Sequence, residues 1–206
     1  MSPREIAEDL DYVRTLAEEG RQAPLLGGSF LMFWGLLNAI AWALQWGLVN
    51  KLLTPNPGWH FAALWISYGV AAGIGSSMLG ARVRALPGRS SLGNRVEGAV
   101  WAGAGIGTGA VVVGAIGHMM LGGGSTAPDV IVPAAYALYG CALMVTSIVS
   151  KEKWLGWFAG ASFAAAAILG LFLSEHWFYL AGAVGSLTTL LTPGIVLLRK
   201  EPSTTV

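Results

Sequence analysis

Charged residues in this chain come in short clusters separated by long stretches that have none. Asp, Glu, Lys and Arg are missing from 22–50, 52–81, 98–128, 130–150, 154–174 and 176–198, and each interval is at least 21 residues long. A helix crosses a hydrocarbon core in about 20 apolar residues. Trimmed of turn-forming residues, the intervals predict spans at 25–49, 60–80, 97–121, 130–150, 153–174 and 176–198. In lipid only helices and closed barrels satisfy their own backbone, and barrel strands alternate apolar with polar residues. Val111-Val112-Val113 and Ala164-Ala165-Ala166-Ala167-Ile168-Leu169 do not alternate. The expected fold is therefore all-α, a polytopic membrane protein with six transmembrane helices over 23–198 and a short tail over 199–206.

The breaks carry turn chemistry: Thr54-Pro55-Asn56-Pro57-Gly58, Pro87-Gly88-Arg89-Ser90-Ser91, and Gly122-Gly123-Gly124-Ser125 with Pro128. Asn94 followed by Glu97 reads as a capping box opening the third span. Asp129 and Ser174 read as caps of the fourth and sixth. Ahead of the spans, Ser2-Pro3-Arg4-Glu5 is a helix start. Ile6, Leu10, Val13 and Ala17 then form one narrow apolar stripe. Residues 1–22 are thus expected to form an amphipathic cytoplasmic helix. It would fold against the bundle ends, dock a partner or neighbouring subunit through Ile6, Leu10 and Val13, or anchor on the membrane surface.

Composition sharpens this picture. Of 206 residues, 54% are hydrophobic and 11% charged, with a mean hydropathy of +0.61. A water-soluble domain carries about 25% charged residues, so a soluble globule is excluded, and nine Trp exclude disorder. A net charge of +1 makes no case for nucleic acid. The basic residues alternate between the two sides: 11 of the 12 fall with the termini and the even-numbered loops, and Lys51 lies opposite. The positive-inside rule then makes both termini cytoplasmic. The first apolar segment follows an acidic region and exceeds the usual signal-peptide core. A multi-pass protein of the bacterial inner (plasma) membrane is expected.

No charged residue is expected at mid-membrane, which argues against a pump, a carboxylate-coupled transporter or a retinal protein. No nucleophile–base set or P-loop is present, so neither an enzyme nor a cofactor is expected. Gly69/Gly73, Gly103/Gly107, Gly105/Gly109 and Gly156/Gly160 have the small-xxx-small spacing of close helix packing, or leave room for a solute. Asn38, in the middle of the first span, needs a hydrogen-bond partner on another helix or a solute. Pro193 removes a ladder bond in the sixth span. With Thr188, Thr189 and Thr192 around it, this is a tolerated kink or part of a polar path. His60, His118 and His176 fall near the outer face. They read as interface packing, a pH-sensitive mouth, or three imidazole metal ligands; no metal is assigned to them.

Gln22-Ala23-Pro24-Leu25-Leu26-Gly27-Gly28-Ser29-Phe30 resembles the signature that opens the first span of small six-helix acetate/succinate uptake transporters. Gln22-Ala23 stands where that signature has Asn-Pro, and two glycines stand where it has one. Tyr136-Ala137-Leu138-Tyr139-Gly140, followed by Trp154 and Trp157, is similar to urea/amide channels. The resemblance implies a small-solute channel, often a ring-shaped oligomer in those families. The expected function is a channel or transporter for a small neutral solute or weak acid. The alternative is a non-transporting accessory, scaffold or sensor subunit that docks a partner through its N-terminal helix. Expected partners are the lipid bilayer and further copies of the chain or other subunits of a membrane complex.

A reporter active only in the periplasm and fused after Val206 is expected to be silent, whereas a cytoplasm-specific reporter at the same point is active. The opposite pattern would invert the topology.

Overall fold

The computed structural model describes residues 25–124 and 126–201. The predicted N-terminal helix, with Ile6, Leu10 and Val13, lies outside them. All regular structure among the described residues is helical. The order is α1 (Gly28–Val49), α2 (Gly58–Arg84), α3 (Leu92–Met120), a 3-10 turn (Ala127–Val130) running into α4 (Ile131–Ser150), α5 (Leu155–Leu171) and α6 (Phe178–Leu198). Among the described residues, five segments are long and apolar enough to cross a membrane: α1, α2, α3, the turn with α4, and α6. The remaining helix, α5, is apolar and 17 residues long. It ends at Phe172, ahead of Ser174, whose φ of 66° lies in the left-handed region.

The bundle is built from two groups. In one, α1 packs along α6 and against α2; in the other, α4 packs along α5 and α3, and α5 touches α6. Two apolar clusters fill the interior. Leu31, Leu143, Leu155, Leu190 and Leu197 lie toward the end where α1 starts, called here the Gly28 end. Trp42, Val132, Tyr136, Leu169, Phe178 and Tyr179 lie toward the Val49 end. The outer helices are much less covered. α2 buries none of its 27 residues, and α3 buries Glu97, Ala104 and Ala115. Their exposed faces carry Ile66, Val70, Ile74, Met78, Ile106 and Val113, the reverse of the polar surface that water requires.

Glycine mediates the closest helix contact, but at other positions than the spacing suggests. A side chain at Gly35 would begin 2.5 Å from the Leu191 nitrogen, and one at Gly194 would begin 2.5 Å from the Met32 nitrogen. Gly28 likewise abuts the backbone of Leu197 and Leu198. The backbones of α1 and α6 therefore touch along the first two turns of α1, from Gly28 to Gly35. By contrast, no described atom of another helix lies within 4 Å of the corresponding point at Gly69, Gly73, Gly103, Gly105, Gly109 or Gly160. Gly107 faces Leu138 at 3.1 Å, and Gly156 faces the Ser147 hydroxyl at 3.5 Å. Among the described residues, the small-xxx-small faces of α2 and α3 are thus left uncovered, because α2 packs on α1 and α3 chiefly on α4.

The capping assignments also change. Ser91 is the N-cap of α3, its hydroxyl accepting from the Asn94 N–H at 3.3 Å. Asn94 and Glu97 instead reach the start of α1. Ser174 lies before α6 rather than capping it, and donates to Asp129 at 2.6 Å. At the chain's end, Lys200 bonds Glu152 at 2.7 Å and lies over the Trp154 ring at 5.6 Å. That bond holds the Glu152 carboxyl below its ordinary range, but such exposed pairs contribute at most about 1 kcal/mol.

Gly35→Leu and Gly194→Leu are each expected to lower the unfolding free energy in detergent by about 3 kcal/mol, the upper end of overpacking costs. Gly105→Leu is expected to change it by less than about 0.5 kcal/mol. An equal loss at Gly105 would mean that this face meets another helix.

Candidate functional site

Ten polar side chains are buried in the bundle, and they lie at successive depths along it. At the centre, Asn38 of α1 joins three helices. Its Oδ1 accepts from the Tyr68 hydroxyl of α2 at 2.6 Å, and its Nδ2 donates to the Tyr139 hydroxyl of α4 at 3.2 Å. Trp101 packs against Tyr139, with ring centroids 6.1 Å apart. Nearly one turn along α4, the Tyr136 hydroxyl donates to the Gly182 carbonyl at 2.5 Å and lies 3.0 Å from the Ser186 hydroxyl. Each tyrosine brings an apolar ring that packs and a hydroxyl that needs a partner, so these rings close the middle of the bundle.

Toward the Val49 end, the Trp65 indole donates to Gln45 at 3.1 Å. Trp65 and Tyr179 pack on Trp42 at 4.9 and 5.9 Å. Asp129 is buried here and accepts from Ser174 and from the Tyr179 hydroxyl. It ties the turn before α4 to the α5–α6 connection.

Toward the Gly28 end the pattern is different. The Leu26 N–H donates to Asn94 Oδ1 at 2.9 Å, and the Ser29 N–H donates to Glu201 at 3.3 Å. Glu97 lies against Gly27. Several buried polar atoms on this side have no partner among the described residues: Ser29 Oγ, Glu97 Oε1, Trp101 Nε1, Thr146 Oγ1, Ser162 Oγ and Glu201 Oε2. Buried polar atoms of this kind are where ordered water or a polar ligand is normally found. The bundle is thus satisfied at its Val49 end, closed by tyrosines at its centre, and polar with unmet hydrogen-bonding capacity at its Gly28 end.

The structure separates the sequence-derived path residues. Asn38 is central and Thr189 is buried, but Thr188 and Thr192 are exposed. Instead of an ordinary kink at Pro193, α6 contains a π-helical turn over Leu187–Leu191, a device often found at functional sites. All three threonine hydroxyls serve the backbone around it. Thr189 and Thr188 donate to the Gly185 carbonyl at 2.8 and 2.9 Å, and Thr192 donates to Leu187 at 2.9 Å. The three histidines are held separately. His60 stacks on Trp59 at 4.2 Å, with its Nδ1 3.0 Å from the Pro57 carbonyl. His118 lines a shallow cleft with Thr126 and Val130. His176 uses its backbone carbonyl to accept from Trp46 and Asn50. Among the described residues no three His, Cys, Asp or Glu side chains come together to hold a metal.

Tyr68 is a central residue that the sequence did not single out, and Tyr139 stood out only within the stretch similar to urea/amide channels. The available signal was that four of the five tyrosines lie inside apolar spans, where each hydroxyl must find a partner. Glu97 was read as a cap and is a buried carboxyl instead. No protein-family model, curated protein or solved structure matches the chain.

Asn38→Leu leaves the Tyr68 and Tyr139 hydroxyls without their amide and is expected to cost about 1–2 kcal/mol, the range of interhelical hydrogen bonds in membranes. A double-mutant cycle of Asn38→Leu with Tyr139→Phe, read by unfolding in detergent, should show positive coupling. Strict additivity would mean that the bond contributes nothing.

Proposed function

We propose that this chain is a six-span inner-membrane protein with both termini cytoplasmic, and that it passes a small neutral solute or weak acid. α5 supplies the sixth span, its 17 residues lying at the short end of the spanning range. The observation that carries the reading is the run of buried polar side chains through the bundle, from Asp129 through Gln45, Ser186 and Asn38 to Thr146 and Glu97. Polar side chains are costly inside a membrane protein and mark solute paths when they recur through its depth. The Gly28 end is then the cytoplasmic vestibule, and Asn38, Tyr68 and Tyr139 form the closure above it. The central groups are uncharged, which suits a neutral solute or a weak acid crossing in its neutral form. The likeness of 22–30 and 136–140 to solute-conducting families supports the same reading.

A second reading draws on a different observation. α2 buries no residue, and the glycine faces of α2 and α3 are uncovered. These are the surfaces that a subunit of a homo-oligomer or larger membrane complex would cover.

Purified protein in liposomes is expected to accelerate flux of urea, glycerol or acetate. Asn38→Leu should slow that flux about tenfold, the rate equivalent of one lost hydrogen bond of about 1.4 kcal/mol. No protein-dependent flux of any of the three, at mildly acidic or mildly basic pH, would sink the solute reading and leave the subunit reading.

A further inference from the structure

At the Gly28 end, two carboxyl groups from distant parts of the sequence meet one short piece of backbone. Glu97, on the second turn of α3, is only 5% exposed, and its carboxyl lies against Gly27. Glu201, just past α6, accepts from the Ser29 N–H at 3.3 Å. The two carboxyls act on each other electrostatically. Each keeps one buried oxygen without a partner among the described residues, Glu97 Oε1 and Glu201 Oε2. A third unpartnered oxygen, Ser29 Oγ, belongs to the same turn of α1, and Ser29 is 2% exposed.

Among the described residues, the surrounding charges do not balance two anions. From α1 come only backbone N–H groups at a helix start, equivalent to about half a positive charge. From α2, Arg82 acts on Glu201 through its field while its own residue is exposed. Next to Glu201, Lys200 is engaged by Glu152. On α3, Arg95 is exposed, and Asn94 is neutral. Burial holds the Glu201 carboxyl above its ordinary range, against the pull of the Ser29 and Gly28 N–H groups and Arg82. Two carboxyls sharing one such site do not both ionise.

We infer that Glu97 and Glu201 form a proton-binding site, holding one proton between them, and that this proton fastens the C-terminal segment to the start of α1. The bound proton supplies a donor among three unpartnered oxygens, Glu97 Oε1, Glu201 Oε2 and Ser29 Oγ, and the pair carries a net charge of minus one. When the proton leaves, its O–H bond breaks, water accepts the proton, and the pair becomes a dianion whose members repel. The helix-start amides point at the site and disfavour a divalent cation there. Glu97 also ends the polar run on which the solute reading rests, but the proton site is tested without flux, so either can fail alone.

The sign follows from linkage. A carboxyl pair that keeps a proton in the folded state, when the unfolded carboxyls have lost theirs, stabilises the fold at low pH and loses that contribution as pH rises. For the purified full chain, the thermal midpoint is expected to fall by about 3–6 °C between about pH 5 and pH 8. Glu97→Gln and Glu201→Gln should each flatten that fall. In an Asp129→Asn background, the infrared carbonyl band of a protonated carboxyl should be present at neutral pH and vanish with Glu97→Gln. If the glutamine variants do not fold, the band in that background still decides, and its absence at neutral pH overturns the site. An unchanged pH slope in both glutamine variants overturns it as well. A midpoint that rises with sodium but not with choline, only while Glu97 is present, would make it a sodium site and overturn the proton.

Discussion

The contact between α1 and α6 sets the position of every polar group in the interior. Gly28 and Gly35 on one helix and Gly194 on the other let the two backbones meet with no side chain between them. Without a hydrophobic driving force between helices in lipid, such close approach is the main source of packing energy. It fixes the depth and rotation of α1, which presents Asn38 to Tyr139 on one side and Tyr68 on the other. It also brings the residues that follow α6 over the first turn of α1, where Ser29 meets Glu201.

Hydrogen bonding is the second organising demand, and it is met unevenly. Around the π-helical turn of α6, side-chain hydroxyls share carbonyls with the backbone, which explains why three threonines cluster there although only Thr189 is buried. At the Val49 end, Asp129, Ser174 and Tyr179 satisfy one another. The unmet capacity is concentrated on the opposite side of the tyrosine layer. Glu97, Thr146 and Ser162 occupy interior positions that apolar residues of similar size would fill at lower cost.

Much of this fold was legible in the charge-free intervals, because a membrane span needs only length and apolar character. The helices begin and end within a few residues of the expected limits, and the Pro/Gly-rich breaks fall between them. The packing partners were not legible. Small-xxx-small spacing reports that a helix has a smooth face but not which face another helix covers; Gly105 and Gly35 look alike in sequence, and only Gly35 is in contact. The candidate site was half visible. A lone amide in an apolar span has to find a partner, so Asn38 stood out. Tyr68 and Tyr139 are 71 residues apart in the chain, and only the tertiary fold shows that they share that partner. Glu97 was misread because a carboxyl three residues after Asn94 fits a local cap, and the local pattern carries no trace of α1 lying alongside.

The π-helical turn has a consequence for how this chain can vary. A turn with five-residue hydrogen bonding holds one residue more than the α-helix would at the same place. Removing a single residue from 187–191 would let α6 close into regular α-helix while the segments on either side keep their facing. Gly194 would stay against α1 and Glu201 beside Ser29, whereas a residue removed from the regular helix between 178 and 186 would swing everything after it by about 100° around the helix axis. The length of α6 is therefore constrained more strongly outside this turn than within it, and a single-residue deletion should be better tolerated at 187–191 than elsewhere in the helix.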